Sequence, residues 1–139
     1  MLKVLGNENP HTHSAIDTLV SILLSVKDYP RALEFAKQVL FLRKKFKGEN
    51  NPSTLDSIYR MGEALEAMKS FQEALAMYRD VAAKRKKVLG SNNGETWKAM
   101  SKIAVTLRWL NQNEEALEVE KEIVKTKRLN LGESHPSTI

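Results

Sequence analysis

The 139-residue chain is 42% hydrophobic and 28% charged, and its 22 Lys and Arg against 17 Asp and Glu leave a net charge of +5. That balance excludes a disordered polymer and predicts a folded chain of about one domain. The absence of cysteine excludes disulfides and thiolate metal sites, and no apolar run nears the roughly 18 residues of a membrane span, so no membrane insertion is expected.

Residues 1–5, MLKVL, look like the tail of a second helix. The longer stretch MLKVLGNENP lacks the apolar core of a secretory signal, so a cytoplasmic location is expected. The next phrase, GNENPHTH at 6–13, returns as GENNPSTL at 48–55, GSNNGETW at 90–97 and GESHPSTI at 132–139. Gly6, Gly48, Gly90 and Gly132 fall 42 residues apart, and Thr12, Thr54, Thr96 and Thr138 share that spacing. So do Pro10, Pro52 and Pro136, and the pairs Ala32-Leu33, Ala74-Leu75 and Ala116-Leu117. A fixed period of this size marks supersecondary units that stack to bury a continuous core. One array is expected over 1–139, with units 6–47, 48–89 and 90–131 and partial units 1–5 and 132–139.

Each unit reads as two helices. In the second, Leu55, Ile58, Met61, Leu65 and Met68 recur at steps of three or four, KSFQEAL interrupts, and Leu75, Tyr78, Val81, Ala82, Arg85 and Val88 follow. No stretch alternates at period two, so the fold class is all-α.

Local chemistry punctuates these helices. Gly48, Gly90 and Gly132 can end the second helix in a left-handed conformation without a Cβ penalty. Asn51-Pro52 supplies an N-cap and a proline at the first helical position. Asn93-Gly94 keeps the cap without the proline, which predicts a looser start. Pro30 is expected in the first turn of its helix, and Ser70-x-x-Glu73 matches a capping box. Ala32, Ala74 and Ala116 are small where two helices must approach closely.

The basic runs RKKFK at 43–47, KRKK at 84–87 and KTKR at 125–128 are expected at the ends of second helices. Cations there stabilise the helix dipole by roughly 0.3–1 kcal/mol each. The same columns, Arg43, Arg85 and Lys127 with Lys44, Lys86 and Arg128, would alternatively form a basic stripe for nucleic acid. Without interleaved aromatics, nucleic acid is not the expected partner.

Catalytic patterns are missing. His11-x-His13 places two imidazoles on different sides of a helix, and neither HExxH nor a phosphate-binding glycine loop occurs. Glu114, Glu115, Glu118, Glu120 and Glu122 read as solvated helical faces. No enzyme activity, cofactor or metal site is expected.

The pairs Leu19-Val20, Met61-Gly62 and Ile103-Ala104, then Leu23, Leu65 and Leu107, then RAL, EAL and EAL, resemble the tetratricopeptide repeat. The long period and the joints LGNENPHT at 5–12 and LGESHPST at 131–138 are similar to its kinesin-light-chain-type subclass. The resemblance implies an α-solenoid of antiparallel helix pairs in a right-handed superhelix, a non-enzymatic scaffold that binds a peptide or protein segment on its concave face. It places Ser14, Asp17, Thr18, Ser21 and Leu24 of the first unit on that face. The second unit would contribute Asp56, Tyr59, Arg60, Glu63 and Glu66, and the third Lys98, Lys102, Val105, Arg108 and Trp109.

The expected partner-binding residues are Tyr59, Arg60, Lys98, Lys102, Arg108 and Trp109, with the cations and Trp suited to an acidic or carboxylate-bearing segment. One alternative is a ligand-sensing regulatory segment of a larger signalling ATPase. Another is an array that self-associates end to end through apolar stacking faces.

Overall fold

The computed structural model describes residues 10–132. Over that range the chain forms six helices and no strand: α1 (Pro10–Ser25), α2 (Tyr29–Lys47), α3 (Pro52–Ala67), α4 (Phe71–Leu89), α5 (Gly94–Trp109) and α6 (Asn113–Gly132). The fold is an all-α helical repeat. Of the partial units expected at 1–5 and 132–139, all but Gly132 lies outside the described residues, Pro136 and Thr138 included, as does Gly6. No described helix is long and apolar enough to cross a membrane.

The chain divides into two compact units, Met1–Met77 and Tyr78–Ile139, the division falling within α4. In the first, Ile16, Val20 and Leu23 of α1 meet Ala32, Ala36, Val39 and Leu42 of α2, with Leu24, Phe35 and Met61 packed against them. In the second, Val81 and Ala82 of α4, Ile103, Ala104 and Leu107 of α5, and Ala116 and Ile123 of α6 are buried. Ala32 and Ala74 are fully buried and Ala116 nearly so, as a close helix approach requires.

The repeated phrase closes the joint between successive repeats by hydrogen bonds. The Thr54 hydroxyl donates to the Gly48 carbonyl at 2.7 Å, and the Thr96 hydroxyl donates to the Gly90 carbonyl at 2.9 Å. That explains a threonine six residues after each of these glycines. Asn51 Oδ1 accepts from the Ser53 amide at 2.9 Å, and Asn93 Oδ1 from the Glu95 amide at 2.8 Å. The looser start expected for α5 is not seen. Its cap bond matches that of α3, and both helices run 16 residues, so the asparagine sets the boundary without the proline. Pro30 lies in the first turn of α2 as expected.

Gly48 departs from the left-handed helical cap expected of it. Its φ of 91° and ψ of 161° lie in a region essentially restricted to glycine. The left-handed residues that end helices instead lie inside the units, at Lys27 (φ 66°), Lys69 (φ 64°) and Asn111 (φ 63°), again 42 apart. At each, two amides turn back onto the helix end. The Ser70 amide donates to the Leu65 carbonyl and the Lys69 amide to the Glu66 carbonyl, both at 2.9 Å, the Schellman pattern. Asp28 with Lys27 and Gln112 with Asn111 repeat it.

Candidate partner-binding surface

The basic column read as helix-end charge divides into two kinds of residue. Arg43 and Arg85 are buried, with 6% and 3% exposure, and so contribute nothing to an exposed basic stripe. The Arg43 guanidinium lies 2.7 Å from the Asp17 carboxylate and donates to Ser57 Oγ at 2.8 Å and the Ser53 carbonyl at 3.3 Å. One side chain on α2 thereby ties α1 to α3. Arg85 donates to the Glu95 carbonyl at 3.1 Å, the same ten-residue reach from a second helix to the start of the next first helix. Lys127, the third member, is exposed, with Nζ 5.3 Å from the centre of the Trp97 ring. Lys44, Lys45, Lys47, Lys86 and Lys87 do occupy last turns, but KTKR stops short of the last turn of α6.

In the first unit, Asp17 is thus engaged with Arg43. Arg60 is half-buried and donates to Ser21 Oγ at 2.8 Å, joining two residues expected on the binding face. Tyr59, expected beside it as a contact, is buried at 9% exposure. Its neighbours in α3, Ile58 and Leu55, are core residues, and the ring shares their burial.

In the second unit the candidate residues fall along α5. At about 100° per residue, Lys98, Lys102, Val105 and Trp109 form one stripe, turned away from the buried Ala99, Ile103, Thr106 and Leu107. Arg108 and Trp109 are exposed, Trp109 at 62%. With Val105 and Asn113 they line a cavity of about 390 Å³ where α5 turns into α6. Lys98 and Lys102 are not in that lining. Lys98 Nζ lies 3.8 Å from the Glu95 carboxylate, and Lys102 Nζ lies 5.9 Å from the centre of the Tyr78 ring. Asn113 was not among the expected residues. As the first residue of α6 it enters the cavity through the turn, and helical spacing along α5 carries no signal for it.

Among the described residues no group of three or more His, Asp or Glu is placed to hold a metal ion. His13 is fully buried while His11 is exposed, so the two imidazoles do not share a surface.

A tetratricopeptide repeat family model matches residues 11–87, and a second model of the same repeat matches 98–137. No curated protein matches. Among solved structures, the nearly identical TPR-like repeats of a Podosopora anserina protein assigned to the kinesin light chains align with a TM-score of 0.77 at 24% identity. A variant of that protein gives 0.76 at 24% identity, and BtubC (BKLC) from P. vanneervenii gives 0.80 at 12%. These alignments cover 94%, 90% and 94% of this chain but only 62%, 59% and 50% of the respective structures. At such identities the likeness is one of fold, and the chain spans about half to six-tenths of the structures it matches.

Proposed function

We propose, from the premise that this chain belongs to the tetratricopeptide repeat family, that it is a protein-interaction module engaging an extended, carboxylate-bearing partner segment along the outward stripe of α5. The observation that carries this reading is the cavity at the end of α5, where an exposed tryptophan stands beside an exposed arginine. Trp109 offers apolar area with a polar edge, and the Arg108 guanidinium can take a carboxylate in two parallel hydrogen bonds. Lys102 and Lys98 follow on the same helix, roughly 10 and 16 Å from Trp109 by helical rise. A partner chain crossing them would meet cations after its anchor. Lys98 would exchange its contact with Glu95 for a partner carboxylate. In the first unit, taken by itself, Arg60 is a proposed partner contact on the surface where it meets Ser21.

The test is fluorescence anisotropy with a panel of labelled synthetic peptides, acidic and neutral, with free or amidated C-termini. Acidic peptides should bind the wild type more tightly than neutral ones, and less tightly as salt rises. Arg108→Glu, Trp109→Ala and the pair Lys98→Glu with Lys102→Glu should each weaken that binding. Affinity for acidic peptides that is unchanged in all three variants would defeat the proposal.

A further inference from the structure

We propose that Asn93 is a site of spontaneous covalent modification, deamidation with isoaspartate formation, restrained by the cap that starts α5. Of the asparagines in the sequence, Asn93 alone precedes a glycine. The reaction uses the amide nitrogen of the next residue, and in glycine no Cβ hinders that nitrogen. Gly94 is exposed, and a Cβ built on it meets nothing within 4 Å. As the first residue of α5, its N–H has no carbonyl partner within the helix. The joint before α3 provides the contrast. Asn51 caps that helix with the same ψ of 139° and the same bond to the amide two residues on, yet Pro52 follows it and has no N–H to react. Glycine in place of proline makes an otherwise inert cap reactive.

Hydroxide removes the Gly94 amide proton, and the nitrogen attacks Cγ of Asn93. The new N–Cγ bond closes a succinimide ring, and the Cγ–Nδ2 bond breaks to release ammonia, which takes its last hydrogen from water. Water then opens the ring at either carbonyl, so amide and water become aspartate or isoaspartate and ammonia. The folded joint withholds the geometry this needs. Ring closure requires the Gly94 nitrogen on the Cβ side of Asn93, whereas a ψ of 139° holds it away and Oδ1 accepts from the Glu95 amide at 2.8 Å. The Trp97 amide on the Asn93 carbonyl at 3.1 Å and the Thr96 hydroxyl on the Gly90 carbonyl at 2.9 Å secure the same turn. Reaction proceeds from molecules whose first turn has frayed, and the stability of that turn sets its rate. The two products act differently. Aspartate keeps a capping oxygen and adds negative charge at a helix N-terminus, where it is favourable. Isoaspartate routes the main chain through the former side chain, which removes the cap and displaces Glu95 from Arg85 and Lys98.

Incubation of the 139-residue chain at mildly alkaline pH, followed by peptide mapping with mass spectrometry, tests the proposal. Conversion of amide to acid should appear first at Asn93 while Asn51 stays intact, and labelling by a protein isoaspartyl methyltransferase should report the isoaspartate. The folded chain should convert roughly tenfold or more slowly than the same chain unfolded in guanidinium chloride. Thr96→Val leaves the Asn93-Gly94 pair untouched but removes a bond that secures the turn. It should speed conversion in the folded chain and leave the rate in guanidinium unchanged, with far-UV circular dichroism checking that the variant is helical. Gly94→Pro should abolish conversion at Asn93. Asn93→Asp should melt like the wild type, and the isoaspartate-containing fraction at a lower temperature. An Asn93 that stays intact while other asparagines convert would overturn the proposal. So would equal rates in the folded and unfolded wild type, or a folded Thr96→Val chain that converts no faster than wild type.

Discussion

Replacing Arg43 by alanine should destabilise the chain by about 3 kcal/mol, a value set by what the guanidinium leaves behind. The Arg43 side chain is 7% exposed and its Asp17 partner 19%. Truncation strands a largely buried carboxylate and removes the donor to Ser57 Oγ and the Ser53 carbonyl. Breaking a buried pair from one side typically costs about 3–5 kcal/mol. The lower end applies because Asp17 keeps some contact with solvent, and because Arg43 Nε and Asp17 Oδ1 lack hydrogen-bond partners among the described residues. Converted to melting temperature, the loss is roughly 6–12 °C for a chain of this size. Urea unfolding followed by far-UV circular dichroism measures it. The double variant Arg43→Met with Asp17→Leu removes both charges while keeping apolar volume. It should recover most of the loss, to within about 1 kcal/mol of wild type. A single variant that loses less than about 1 kcal/mol, or a double variant as unstable as the single, would refute the stranded-charge reasoning.

Five further substitutions separate backbone from packing effects. Lys69→Gly should stabilise the chain by about 0.5–1 kcal/mol in urea unfolding, because glycine removes the left-handed penalty and returns part of it as chain entropy. Gly48→Ala should destabilise by about 1–3 kcal/mol although a Cβ there meets nothing within 4 Å, so the cost is purely conformational. Ala74→Trp, at a fully buried site, should cost about 3 kcal/mol or more and lower the melting temperature accordingly. Asn93→Ala and Asn51→Ala should each cost about 1 kcal/mol in the same assay, and equal losses would show that Pro52 adds little to the α3 cap.

Much of the candidate site was legible in sequence, though unequally. The α5 residues share a side because helical spacing is local: Lys98, Lys102 and Trp109 can be placed by counting. Counting could not show that Val105, Arg108 and Trp109 line the cavity while Lys98 and Lys102 do not, or that Asn113 completes it, because a turn lies between. Tyr59 sits one position before Arg60, and their burial differs because the α3 surface beneath the ring is core.

The sequence by itself determined the period, the all-α class, the asparagine caps and the threonine at each joint. Each rests on neighbours within a few residues or on simple recurrence. Tertiary structure alone decided which charges are interior. Arg43 and Lys44 are adjacent members of one basic run, yet Arg43 is buried and Lys44 exposed. The difference comes from Asp17 on α1 and Ser57 on α3, which helix packing brings to the guanidinium. The left-handed caps were hidden for a related reason. Lysine at Lys27 and Lys69 carries no local preference for positive φ, and the turn is imposed by the two helices it must join.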